Sequence, residues 1–125
     1  MLIRKVKLIS LTDILTTAAE SSGADAVEEA YKAYKATVSG ASDHTVGEAI
    51  ALAYAFLRER KAALALKVFE LNAESYPNVA AALYNLGEGH RFMGQSAEAK
   101  DAYERTVAVD PDHALAKAKL AEMRP

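Results

Sequence analysis

The stretch LYNLGEGHRFMGQSAEAKDAYERTVAVDPDH, residues 83–113, decides how this chain folds. Gly94 separates two segments whose apolar residues recur at the three-to-four-residue spacing of an amphipathic helix. Glycine is a common left-handed stop after a helix, and proline cannot continue one. We therefore predict two helices, at 79–93 and 97–109, followed by a break at Pro111.

The same pattern occurs once more, 34 residues earlier. At this offset, which also separates Pro77 from Pro111, residues 46–79 align with residues 80–113. The matched pairs are Leu52 with Leu86, Phe56 with His90, Ala65 with Ala99, Val68 with Ala102, and Phe69 with Tyr103. A period of 34 residues holds two helices and their turns. The alignment predicts a helical repeat, with further helices at about 46–59 and 62–73.

Weaker helical patterns flank the two units. Residues 10–45 form a degenerate unit with helices at about 10–21 and 26–37, and a last helix at about 113–123 has the polar face that closes a stack of repeats. We expect residues 1–9 to be an extended lead-in. The side chains that we expect to cap helices are Ser10, Thr45 with Glu48, Asn78, Ser96 and Asp112.

Composition supports an all-α chain and excludes several classes. Alanine, the best helix former, accounts for 27 of the 125 residues, and a chain of this length is one domain. The net charge of −2 gives no broad attraction to nucleic acid or to an anionic membrane. We find no signal peptide and no apolar run long enough to span a membrane. The absence of cysteine is compatible with the cytoplasm, which we predict as the location.

The aligned residues resemble the tetratricopeptide repeat. The matching positions are Leu83, Leu86-Gly87, Gly94, Ala99, Tyr103 and Pro111. His90 and Thr106 depart from the pattern, and Arg60 replaces the second glycine in the unit 46–79. The resemblance implies an all-α, right-handed solenoid of about seven helices. It forms a single domain over 1–125, divided into 10–45, 46–79, 80–113 and a capping helix at 114–125.

A second resemblance is narrower. The order of segments over residues 8–113 is similar to the helical tail behind the catalytic domain of some bacterial serine hydrolases of the β-lactamase and esterase type. It implies an accessory domain that works with a hydrolase domain or partner. The chain has no Ser-x-x-Lys and no Gly-x-Ser-x-Gly, and we interpret Tyr76-Pro77-Asn78 as a turn. We therefore predict no catalytic residue and no enzyme activity.

Three histidines and two glycines have structural explanations. His44, His90 and His113 lack the spacing of metal ligands, so we predict no metal and no cofactor. We expect His90 to be a packed, hydrogen-bonded core residue and the other two to be solvated. Gly87 and Gly89 lie inside a helix, where they let a neighbouring helix approach.

The first helices of stacked repeats line a concave surface. Through the repeat pattern, six residues on that surface form the candidate face: Tyr54, Arg58, Tyr84, Asn85, Glu88 and Arg91. Tyrosine and arginine are typical binding anchors, and we expect Asn85 to hold a peptide backbone. Equally, the candidate face could be only the solvated side of a small solenoid.

The function predicted from these residues is a non-enzymatic scaffold that binds a protein or peptide. Apolar helix faces at the ends of so short a stack predict self-association, most simply as a symmetric dimer. Some tetratricopeptide repeats clamp a terminal carboxylate with lysine, asparagine and arginine, but Leu115 stands where the lysine is expected. We therefore do not predict that mode, and we expect neither nucleic acid nor membrane as a partner.

Overall fold

A computed structural model describes residues 10–38, 40 and 43–124. These residues form α-helices and turns without a strand. The seven helices are α1 (Leu11–Ser22), α2 (Ala24–Lys35), α3 (Thr45–Arg58), α4 (Ala62–Ser75), α5 (Ala80–Phe92), α6 (Ser96–Val109) and α7 (Ala114–Glu122). The all-α prediction is confirmed, and each predicted helix lies within a few residues of an observed one. The predicted lead-in at 1–9 lies outside the described residues.

The helices pair in chain order. α1 packs against α2, α3 against α4 and α5 against α6, while α7 packs against α6. Successive pairs are joined because α3 packs on α1, α4 on α2 and α5 on α4. The chain is therefore a helical-repeat solenoid, whereas the exact unit boundaries stay a prediction. In the described part of the chain, no helix has both the length and the hydrophobicity needed to cross a bilayer.

Two hydrophobic clusters hold the stack. The larger one joins α1 to α6 and includes the fully buried rings of Tyr31, Phe56 and Phe69. The smaller one, at the carboxyl end, is built on Tyr103 and Ala116. Four alanines at the aligned positions are also buried, namely Ala53, Ala65, Ala99 and Ala102. Small side chains at these positions let the paired helices approach closely.

Two glycines set the spacing of α5 from its neighbours. A Cβ atom on Gly89 would lie 2.6 Å from Cδ2 of Phe69, and one on Gly87 would lie 2.5 Å from Cε1 of Tyr103. Each ring thus occupies the space that a side chain would need. The prediction that both glycines allow close helix approach is confirmed.

Some helix ends match the predicted caps. The Ser10 hydroxyl accepts a hydrogen bond from the backbone N–H of Asp13 at 3.1 Å, which confirms the first cap. Gly94 has φ +73°, the left-handed conformation expected of a helix stop. Arg60, in the matching turn of the preceding unit, also has positive φ, +61°, although it has a side chain. The turn keeps its geometry even where glycine is absent.

Other predicted caps are wrong. Thr45 does not cap α3 but begins it, because the N-cap position is His44, which makes no side-chain cap. The Thr45 N–H instead donates to Asp43 Oδ1 at 2.9 Å. Asp112 does not cap α7, since the cap is the next residue, His113. Ser96 begins α6 rather than preceding it. The residues before α5 and α6, Val79 and Gln95, make no side-chain cap, so Asn78 and Ser96 have no capping role.

A polar cluster ties the end of α2 to the end of α4. Lys35 Nζ lies 2.6 Å from Asp43 Oδ2, which also accepts a hydrogen bond from the Tyr76 hydroxyl. Burial disfavours the charged form of Asp43, but hydrogen bonds from Lys35, Thr45 and Tyr76 outweigh burial and hold its pKa below the ordinary value. Tyr76 thus serves the turn after α4, as the sequence predicts.

Candidate protein-binding face

The candidate face is built on two successive first helices of the repeat. Tyr54 and Arg58 lie one turn apart on α3, and Tyr84, Asn85, Glu88 and Arg91 lie on α5. Five of these six side chains belong to two hydrogen-bonded groups, described next. Arg58, at the carboxyl end of α3, is exposed.

The first group joins α3 to α5. The Tyr54 hydroxyl donates to Asn85 Oδ1 at 2.6 Å, and Asn85 Nδ2 donates to the carbonyl of Ala81 at 2.8 Å. The Tyr54 ring meets Phe69 edge-on, with 5.4 Å between the ring centroids. The Asn85 amide is therefore partly engaged within the chain, because its oxygen accepts from Tyr54 and one of its two N–H groups donates to Ala81.

The second group surrounds a buried carboxylate. Glu88 is only 7% exposed. Its Oε1 accepts a hydrogen bond from the Tyr84 hydroxyl at 3.0 Å, and its Oε2 accepts from the Tyr103 hydroxyl at 2.6 Å and from Arg91 Nε at 2.9 Å. Lys119 Nζ on α7 lies 3.9 Å from Oε1. Glu88 thus links three helices, with both of its oxygens satisfied.

The protonation states in this group are well defined. Burial opposes the charge of Glu88, but hydrogen bonds from Arg91, Tyr103 and Tyr84 outweigh burial and lower its pKa. Burial and the hydrogen bond to Glu88 raise the pKa of Tyr84 to about 12, and they raise that of Tyr103 as well. The carboxylate stays charged and the phenols stay neutral around pH 7. Such fixed states suit a recognition surface.

Sequence reasoning missed two members of this group. Tyr103 is visible in the sequence as a core ring, but its hydroxyl reaches Glu88 only through the packing of α6 on α5. The sequence does contain a signal that places Lys119 on the candidate face. Lys119 lies 34 residues after Asn85 and therefore occupies the same repeat position on the next first helix. Applying the offset once more identifies it.

The histidines differ in their surroundings. His44 is exposed, as predicted, whereas the prediction that His113 is solvated is wrong. His113 is half-buried, with its ring centroid 5.1 Å from that of Tyr84, and its Nδ1 accepts a hydrogen bond from the Ala116 N–H. It lies at the start of α7, where the chain turns back onto α5.

His90 only partly fulfils its predicted core role. Its Nδ1 lies 2.7 Å from Gln95 Oε1, so it is hydrogen-bonded, but it is half-buried whereas the aligned Phe56 is 1% exposed. The smaller ring lines an open cavity of about 300 Å³ together with Leu86, Ala97, Glu98, Asp101, Ala102 and Arg105. In the ranges that the structure covers, no three acidic or histidine side chains group as metal ligands would. The expected lack of a metal stays a prediction.

Comparisons by sequence give no relative. No protein-family model matches the chain, and a search among curated proteins gives no match.

Solved structures with the same architecture exist. A point mutant of MamA has 19% identity, covers 90% of this chain and 76% of its own, and gives a TM-score of 0.59. A second MamA crystal structure is 21% identical. The match covers 88% of this chain and 62% of that one, with a TM-score of 0.57. The first TPR of Spaghetti (RPAP3), bound to the HSP90 peptide SRMEEVD, is 19% identical. The match covers 90% of this chain and 88% of that one, with a TM-score of 0.58.

These likenesses concern the fold. At such identities they carry no activity or partner across, and they give no support to the narrower resemblance to a hydrolase accessory domain. Together with the three helix pairs and the added α7 of the described residues, they show that the chain has the helical-repeat fold of tetratricopeptide repeat proteins.

Proposed function

We propose that the chain is a non-catalytic scaffold that binds an extended peptide segment of a partner protein across α3, α5 and α7. The observation that carries the proposal is the hydrogen-bonded row on the candidate face, in which Tyr54 bridges to Asn85 and Tyr84 and Arg91 share Glu88. Side chains that are already held in place lose less entropy when a ligand binds. We take the cytoplasm as the setting of this interaction.

The charges favour an acidic segment. Glu88 contributes one negative charge that is buried, whereas Arg58 and Arg91 are exposed and Lys119 is half-buried. The surface therefore has a surplus of positive charge, which attracts carboxylates. Leu115, which is 60% exposed and lies on α7 as Lys119 does, offers an apolar contact. The peptide in the Spaghetti (RPAP3) structure, SRMEEVD, combines acidic and apolar residues, which supports the proposal by analogy of fold.

A peptide selection tests this proposal. Random peptides displayed on phage and selected on the full chain are expected to be enriched in Asp and Glu next to an apolar residue. Arg58→Glu is expected to weaken the selected peptides by about tenfold, because it reverses one exposed charge of the candidate face. Arg105→Glu is the matched control, since Arg105 is also exposed but lines the cavity on α6.

Two outcomes would overturn the proposal. One is a selection without acidic enrichment, and the other is equal weakening by Arg58→Glu and Arg105→Glu. Circular dichroism on each variant shows that the helices are retained, so a lost fold is not mistaken for a lost site.

We also propose that the chain forms a homodimer. Among the residues that the structure describes, the exposed large apolar side chains are Phe92, Met93, Val109 and Leu115. Contiguous exposed apolar groups mark interaction sites, and Phe92 and Met93 are adjacent at the carboxyl end of α5. Sedimentation velocity at increasing protein concentration is expected to show a monomer–dimer equilibrium that Phe92→Glu shifts to monomer, since Phe92 is 56% exposed. A monomer at every concentration would contradict the dimer.

A further inference from the structure

His113 caps α7 with its side chain. The residue has the extended backbone of an N-cap, with φ −70° and ψ 96°, and its Nδ1 accepts a hydrogen bond of 3.1 Å from the Ala116 N–H. An imidazole nitrogen accepts a hydrogen bond only when it carries no proton. The cap therefore requires neutral His113 with its proton on Nε2.

From this geometry we propose that His113 makes the docking of α7 sensitive to pH, so that protonation of its imidazole loosens α7 from the end of the solenoid. A proton on Nδ1 would face the N–H of Ala116, donor against donor, and the cap would be lost. The positive charge would also sit at the amino end of a helix, where the helix dipole disfavours cations. Both effects act in the same direction.

Helix α7 is held weakly enough to respond. It has nine residues, fewer than the roughly 12–15 that an isolated helix needs in water. Ala116 is the one fully buried residue of α7, and the helix packs chiefly on α6. Its half-buried contacts to the smaller hydrophobic cluster are made by Leu120 and Met123. The His113 cap therefore adds to the burial of Ala116 in fixing the first turn of α7.

Several titratable and charged groups lie near His113. Asp110 and Asp112 lie in the same turn, and Lys117 and Lys119 lie on α7. From α5 and α6 come Tyr84, which stacks on His113, and Glu88 and Tyr103, which bond to one another. Histidine is the side chain that ordinarily changes charge between pH 5 and 8. The lowered pKa of Glu88 and the raised pKa of Tyr84 keep both groups unchanged in this window.

The switch would also alter the candidate face. Lys119 reaches Glu88 from α7, and Leu115 is exposed on the same helix, so loosening α7 removes one cation and one apolar contact from that surface. This consequence rests on the proposed function. The change in α7 itself does not, because it can be measured without any partner.

Amide hydrogen exchange by NMR tests the switch. Protection of Ala114–Glu122, corrected for the intrinsic exchange rate at each pH, is compared at pH 8 and pH 5.5 on the full chain. We expect a fall of about tenfold in protection at pH 5.5, the effect of losing one N-cap and adding one opposed charge. Protection of α3–α6 is expected to change little.

Two variants make the result specific. His113→Asn keeps an accepting oxygen but cannot take up a proton in this range, so its α7 should keep the same protection at both pH values. His44→Asn is the matched control, because His44 is also an N-cap but makes no side-chain cap to α3, and it should retain the wild-type fall. Equal protection of wild-type α7 at both pH values, or an equal fall in His113→Asn, would overturn the proposal.

Discussion

At the scale of single residues, the missing side chain of Gly89 determines how closely α5 approaches α4. The ring of Phe69 fills the place of its Cβ. Gly47, on α3, offers the opposite situation, because an added Cβ would meet nothing within 4 Å. The two positions separate the packing effect of a methyl group from its effect on helix propensity.

We expect Gly89→Ala to lower the free energy of unfolding by about 1–3 kcal/mol, since Phe69 must shift in a packed core. Gly47→Ala is expected to raise it by about 0.5 kcal/mol through better helix propensity. Urea unfolding followed by circular dichroism measures both. Stabilisation by both substitutions would show that Gly89 does not set the helix spacing.

Arg60 carries backbone strain that Gly94 avoids. Both have positive φ at the turn between paired helices, but only glycine adopts it freely. We expect Arg60→Gly to raise the free energy of unfolding by about 0.5–1 kcal/mol and Gly94→Ala to lower it by about 1 kcal/mol. Thermal unfolding of the two variants should therefore shift in opposite directions, and a shift in the same direction would contradict the assigned strain.

At the scale of elements, Glu88 joins α5 to α6 and α7. Its pKa is lower in the folded chain than the ordinary value of 4.5. A carboxyl group of this kind stabilises the fold above its unfolded pKa, and that stability is lost as the pH falls through the folded pKa. The chain should therefore lose stability below about pH 4.5.

We expect Glu88→Gln to be less stable than the wild type at pH 7 and to lose less stability between pH 5 and pH 3. Asp43→Asn is the comparison, because Asp43 also has a lowered pKa but joins α2 to α4. Urea midpoints at the three pH values give the result. A wild-type pH dependence in Glu88→Gln would mean that its carboxyl does not stabilise the junction.

The buried side of α5 and the candidate face can be distinguished by truncation. Leu86→Ala is expected to lower the free energy of unfolding by about 2–5 kcal/mol, since Leu86 is 7% exposed in the larger cluster. Arg58→Ala on the candidate face is expected to stay within about 0.5 kcal/mol of the wild type. Tyr84 is a poor probe of binding alone, because its ring packs on Tyr103 and His113. A large loss in Arg58→Ala would place it in the core rather than on a binding surface.

The helices were predictable, but of their side-chain caps only Ser10 was. Periodic apolar residues with Gly94 and Pro111 locate the helices, because these signals are local. The side chains that bond the first N–H groups of α3 and α7, Asp43 and His113, lie two and one residues away from the expected caps, and the difference depends on how the turn orients a side chain. Likewise, Tyr84, Glu88 and Arg91 could be assigned to one face by spacing. The burial of Glu88 could not be predicted from spacing, since its partners Tyr103 and Lys119 come from other helices.

At the scale of the whole molecule, the repeat places the candidate face on successive first helices. Tyr54 on α3, Asn85 on α5 and Lys119 on α7 follow one another along these helices, and contacts connect α3 to α5 and α5 to α7. The cavity beside His90, on α5 and α6, is the competing surface. The account places the peptide on the first helices and leaves that cavity free.

The most direct test is an NMR titration of the ¹⁵N-labelled full chain with the acidic peptides that it selects. We predict that the largest chemical-shift changes fall on α3, α5 and α7, around Tyr54, Asn85 and Lys119. Changes centred on the cavity residues Glu98, Asp101 and Arg105, or a chain that selects no acidic peptide, would contradict a peptide-binding role for the candidate face.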